Sequence, residues 1–102
     1  MTKYEIIEQA ILNKQQVFGV YSGKLRGLCP HVLGTKNGKE QCLFFQFYGS
    51  SVSGLPNGGQ WRCLPLSGLK ILNVEAGEWH TGTHGTKAQC CVDNIGTETP
   101  RI

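Results

Sequence analysis

Two arginines, a histidine and a tyrosine, namely Arg26, Arg62, His31 and Tyr21, are the residues of this chain best suited to hold an anion. Arginine presents a planar fork of donors that matches phosphate oxygens, and a histidine or tyrosine beside it adds a hydrogen bond or a stacking face for a base. Without a ligand, the same four would be ordinary rim charges of a small domain. A second group is the run from Gln46 through Phe47, Tyr48, Gly49, Ser51 and Ser53 to Gly54. Glycine lets backbone amides approach an anion closely, and serine hydroxyls donate or accept. The run lacks the Gly-Lys-Ser/Thr ending of a nucleotide-hydrolysing phosphate loop, so it reads as a binding lid or as a plain hairpin loop. Trp61 and Trp79, with Phe47 and Tyr48, form a third group. Aromatic faces stack on bases with little sequence preference, but a domain this small needs most of its aromatics for its core. Trp61 and Phe47 suit the core, whereas Trp79 lies in the polar, glycine-rich setting Gly77-Glu78-Trp79-His80-Thr81-Gly82.

Metal and covalent chemistry find less support. His80 and His84 are four apart, but the intervening Thr-Gly-Thr opposes the helix that would align them, and no glutamate follows His80 as in zinc peptidases. Cys29 and His31 would share a strand face, yet two further ligands would have to come from distant positions. A nucleophilic Cys/His pair could be assembled from Cys29, Cys63 or Cys90 only in space, and Glu40, Glu75, Glu78, Asp93 and Glu98 are scattered rather than paired. The expectation is a binding protein rather than an enzyme, with no catalytic residue, no metal and no cofactor.

The elements that must position these residues begin with a helix over residues 3 to 13. Thr2-Lys3-Tyr4-Glu5 is a capping box, and Tyr4, Ile7, Ala10 and Ile11 then recur at helical spacing. A strand over Gln16 to Tyr21 turns at Ser22-Gly23-Lys24 into an extended stretch over Leu25 to Gly34, in which Pro30 argues for an edge or a bend. Asn37-Gly38 is a tight hairpin pair. The apolar run Gln41 to Tyr48 predicts a strand covered on both faces at the centre of the sheet. A loop spans residues 49 to 60, and two short strands follow at Trp61 to Leu66 and Lys70 to Val74 around a tight corner at Pro65-Leu66-Ser67-Gly68. A last strand could run from Ala88 to Val92, with Thr97 to Ile102 as a frayed tail.

One helix and about five short, bent strands predict a mainly β, α+β fold that closes or half-closes into a small barrel, because closure removes exposed edges. The 102 residues suffice for one core, divided into a barrel domain at 1–80 and a flexible segment at 81–102 that could add one strand. Fourteen glycines fit a chain of strands and turns, and a net charge of +3 permits an anionic ligand without amounting to a coat for duplex DNA. Charges at Lys3 and Glu5 with no long apolar run after them predict a soluble chain without signal peptide or membrane span. Five cysteines without CxxC spacing predict buried structural thiols in a reducing, cytoplasmic setting rather than a disulfide framework.

From Ile6 to Leu72 the residue order resembles the WYL domain, a small SH3-like (Sm-like) five-stranded barrel preceded by an N-terminal helix. The resemblance is carried by Ile7-x-x-Ala10-Ile11, by Val17-Phe18-x-Val20-Tyr21, and by Arg26-x-Leu28-x-Pro30-His31-x-Leu33-Gly34. It continues in the strand Leu43 to Gln46 and in Trp61-Arg62-x-Leu64-x-Leu66-x-x-Leu69-x-Ile71. The Trp-Tyr-Leu tripeptide is absent, and Cys42-Leu43-Phe44 stands near its place. The resemblance implies a ligand-sensing module with a basic pocket for a nucleotide or short nucleic acid, normally fused to a DNA-binding domain. The chain has no room for such an output domain, which implies action in trans: holding its ligand, as phage-encoded sponges that sequester a nucleotide immune signal do in the bacterial cytoplasm, or acting on a partner regulator protein.

The expected binding set is Tyr21, Arg26, His31, Gln46, Gly49, Ser51, Ser53, Trp61, Arg62 and Trp79, with the loop 49–59 completing the pocket. The alternative is a protein-interaction or transcription co-regulator module without a small-molecule ligand, working through strand edges or as a homo-oligomer.

Overall fold

A computed structural model describes residues 1–49, 59–80 and 91–98. The first element is α1 (Lys3–Leu12), and its capping box forms: the Glu5 amide donates to the Thr2 hydroxyl at 3.1 Å, and the Thr2 amide donates to Oε1 of Glu5 at 2.9 Å. Ile7, Ala10 and Ile11 are its buried positions. They lie on a six-stranded antiparallel sheet of β1 (Gln16–Tyr21), β2 (Lys24–Lys36), β3 (Lys39–Gly49), β4 (Gln60–Pro65), β5 (Leu69–Glu75) and β6 (Asn94–Glu98), with a 3-10 turn at Leu66–Gly68 between β4 and β5. The main core joins the helix to Val17, Leu28, Leu33, Cys42, Phe44, Leu64, Leu66 and Leu69, on what we call the helix face. A smaller cluster of Val32, Leu43, Cys91 and Val92, with Trp61 against it, lies on the outer face.

Both short hairpins follow from local chemistry. Ser22 and Gly23 have φ of 54° and 72°, and Asn37 and Gly38 have 53° and 78°. Two consecutive positive values let a two-residue turn match the twist of its strands, and glycine and asparagine adopt them at low cost. Tyr21 therefore pairs with Lys24, and Lys36 with Lys39.

The ladder runs β4-β3-β2-β1-β5, with β6 added on β2. This corrects two expectations, the centre of the sheet and the position of the last strand. The central strand is β2, not the more apolar β3, because β2 is long enough to pair with β3 along one side and with both β1 and β6 along the other. The ladder is open, with β4 and β5 at its two ends, so closure into a barrel is not shown by hydrogen bonding among the described residues. The last strand is Asn94–Glu98, later than Ala88 to Val92, and it takes in Thr97, whose hydroxyl donates to Glu8 at 2.9 Å. Residues 88–90 lie outside the described residues, as does most of the 81–102 segment.

Pro30 is fully buried in the central strand, not at an edge. The sheet accommodates it because β1 pairs with β2 only up to Leu28 and β6 pairs only from Val32, leaving residues 29–31 without a partner strand on that side among the described residues. On the other side the register with β3 shifts between Pro30 and Val32. A bulge re-aims side chains, and this one exchanges the faces: Leu28 before it and Leu33 after it both meet the helix, while His31 and Val32 both lie outward.

Candidate functional site

Arg26 is flanked by glycine on both neighbouring strands, Gly19 on β1 and Gly49 on β3. Gly49 has φ of 101°, and a side chain there would collide with the backbone of Leu25 and Arg26. The missing side chains leave the arginine to run along the helix face, where it is only 4% exposed. Its Nη1 donates to Oε1 of fully buried Gln46 at 3.2 Å, and its guanidinium carbon lies 5.3 Å from the centre of the Tyr21 ring. Its Nε is buried without a hydrogen-bond partner among the described residues. Gln46 in turn donates to the Tyr48 carbonyl at 3.3 Å, which orients its oxygen toward Arg26.

Arg62 enters from β4, opposite Phe44, and is half-buried. Burial lowers the Arg26 pKa first, the like charge of Arg62 lowers it further, and Tyr21 acts weakly in the opposite sense. Among the described residues no carboxylate acts on it. Arg26 is enclosed and Arg62 half-buried, and an opposite charge at short range would offset the repulsion between them.

The expected site therefore divides. Tyr21, Arg26, Gln46 and Arg62 come together on the helix face with Gly49 beside them, whereas His31, Trp61 and Trp79 gather on the outer face. His31 is buried between the two indoles, with ring centres at 4.9 Å to Trp61 and 4.8 Å to Trp79. Its Nε2 donates to the His80 carbonyl at 3.0 Å, and the His80 amide points to the Cys29 sulfur at 3.4 Å. Cys29 and His31 do share a strand face as their spacing predicts, but what they hold is the peptide backbone of His80. Phe47 stacks on the His80 ring with centres 4.4 Å apart, and Gln16 donates to the Glu78 carbonyl at 2.7 Å, fixing the same segment. Burial lowers the His31 pKa, against the opposing effect of its bond to His80. Ser51 and Ser53 lie outside the described residues, as do Cys90 and His84.

The cysteines require a correction. Cys63 on β4 and Cys91 before β6 form a disulfide, with Cα atoms 5.6 Å apart and a separation of 28 in sequence. Sequence spacing hides the pair because the chain reverses through β5 before Cys91 returns beside β3, where Gln41 donates to its carbonyl at 2.8 Å. The inference of a reducing compartment rested on thiols without partners, and this bridge removes that support. Cys29 and Cys42 are free and buried. Burial pushes the Cys29 thiol up to about 11 and the fully enclosed Cys42 thiol well above its ordinary value, so neither is a nucleophile near neutral pH. Among the described residues no group of three or more His, Cys, Asp or Glu side chains is placed to hold a metal ion. A cavity of about 390 Å³ lined by Lys3, Lys39, Glu40, Leu66 and Ser67 lies at the opposite end of β3 from Gln46 and Gly49.

The sequence matches no family model, no curated protein and no solved structure.

Proposed function

We propose that the chain is a non-enzymatic binding module for a phosphate-bearing ligand, a nucleotide or short nucleic acid, held on the helix face by Arg26 and Arg62 with Gln46 and Tyr21 beside them. The observation that carries the reading is Arg26 itself: a nearly enclosed guanidinium beside a second arginine, with no partner for its Nε donor and no carboxylate acting on it among the described residues. Burying such a charge without compensation is costly, and an anion supplies both the missing charge and the missing acceptors. The proposed architecture is an SH3-like, WYL-like barrel. The return of β5 to β1 after a 3-10 corner supports it, because that path brings the two ends of the ladder round toward each other. His31, Trp61 and Trp79 leave the binding set in this reading and become the support of the sheet's other face.

In this reading the module acts in trans, by retaining its ligand. Isothermal titration with mono-, di- and cyclic nucleotides and short oligonucleotides tests it. Binding by the parent chain with loss in both Arg26→Gln and Arg62→Gln is expected; no heat at millimolar ligand overturns the reading. Protein docking is the second reading, favoured by β5, an end strand with Leu72 54% exposed. A double arginine variant that stays folded and keeps its cellular effect would favour that one. No helix among the described residues is long and apolar enough to cross a membrane.

A further inference from the structure

The Cys63–Cys91 bridge differs from the other described cysteines in being reachable. Cys63 belongs to an end strand of the ladder and is exposed, whereas Cys91 is 5% exposed within the outer-face cluster. Cys29 and Cys42 are 0% exposed, beyond the reach of an external reagent. Gln41 faces the bridge from β3: its amide donates to the Cys63 sulfur at 3.6 Å and to the Cys91 carbonyl at 2.8 Å. An amide donor steadies negative charge on a sulfur atom, and thiol–disulfide exchange proceeds through such charge on the attacking and leaving sulfurs.

We propose that Cys63–Cys91 is a thiol–disulfide exchange site for low-molecular-weight thiols, with Cys63 as the sulfur attacked. A thiolate from solvent forms a bond to Cys63 Sγ as the bond to Cys91 Sγ breaks, and Cys91 leaves as a thiolate that takes a proton from water. A second thiolate then attacks the outer sulfur of the mixed disulfide and releases Cys63, beside Gln41, as a thiolate that takes a proton from water in its turn. The protein has gained two electrons and two protons, and two small thiols have become one small disulfide. Gln41 is a positioning residue, holding the Cys91 backbone while its second N–H faces Cys63. The inference does not depend on the anion site.

Peptide mass spectrometry of the native, air-oxidised chain, treated with reduced glutathione and then alkylated, tests it. A Cys63–Cys91 cross-linked peptide is expected before treatment. Afterwards a glutathione adduct at Cys63 and alkylation of both sulfurs should appear, while Cys29 and Cys42 label only after denaturation. In Cys91→Ser, which leaves Cys63 single, glutathione disulfide should add one glutathione at Cys63. In Gln41→Leu, the pH profile of Cys63 alkylation in the reduced chain should move upward. The proposal is overturned if the cross-link is absent or joins Cys63 to Cys90. It is equally overturned if the native bridge stays closed at a glutathione concentration that opens it in the denatured chain, if Cys63 of Cys91→Ser takes no glutathione, or if the Gln41→Leu profile does not move.

Discussion

Trp61 and Arg62 are consecutive on β4 and serve opposite faces of the sheet: the indole packs on His31 and Phe45, while the guanidinium acts on Arg26. Pleating makes this necessary, since neighbouring residues of a strand point to opposite sides. The same strand therefore braces the outer face and charges the helix face, and the two duties can be separated by mutation.

Arg26→Met should leave the stability of the ligand-free chain within about 1 kcal/mol of the parent, because two effects oppose each other. Removing a buried charge beside a like charge is favourable, while Gln46 loses one donor, at a cost of about 1–3 kcal/mol. Urea unfolding measures the sum, and titration with the best nucleotide should show at least a tenfold loss of affinity in the same variant. A drop in stability of about 3–5 kcal/mol, the loss seen when one member of a buried ion pair is removed, would assign Arg26 a structural partner instead.

Reduction, or Cys63→Ser, should lower stability by no more than about 3.5 kcal/mol, the chain-entropy value for a closed loop of this length. Denaturant midpoints with and without a dithiol reductant give the difference. Because the bridge ties β4 to the approach of β6, amide exchange should rise first in Asn94–Glu98 and at the partner residues Val32–Thr35.

Acidification should weaken the fold from pH 6.5 downward. Burial holds the folded-state pKa of His31 below its ordinary 6.5, so the unfolded chain takes up the proton first. Stability from this residue is complete above the unfolded value and is lost as the pH falls toward the folded one. His31→Gln should flatten the pH dependence of the urea midpoint between pH 7.5 and 5. A parent midpoint that does not change over that interval contradicts the assignment.

Gly34→Ala should detach β6. A Cβ at Gly34 would run into the carbonyl of Asn94 and the side chain of Val92, and neither can retreat while β6 stays paired with β2. Loss of amide protection in Asn94–Glu98, with α1 and the β1–β2 hairpin still protected, is the expected pattern. An unchanged exchange profile would mean that β6 is not seated on Gly34.

What was legible in the sequence is what depends on neighbours in the chain. Thr2 and Glu5 cap the helix within four residues, and Ser22-Gly23 and Asn37-Gly38 set their hairpins through backbone angles alone. The division of the site was partly legible too: Arg26 and His31 are five apart, an odd number, and an unbroken strand puts them on opposite faces. The exchange of faces at Pro30–Val32 was not legible, because it depends on where β1 stops and β6 begins. Pairing of Cys63 with Cys91 depends on the path through β5 and a late strand whose residues, Asn94 to Glu98, carry little apolar alternation.

β6 also has a bearing on self-association. It occupies the side of β2 that β1 leaves bare beyond Pro30, where Val32 and Leu33 would otherwise present unpaired backbone groups to any passing chain. An uncovered apolar strand edge is a template for aggregation. The chain thus carries its own stopper, and the bridge through Cys91 is the pin that keeps the stopper in place.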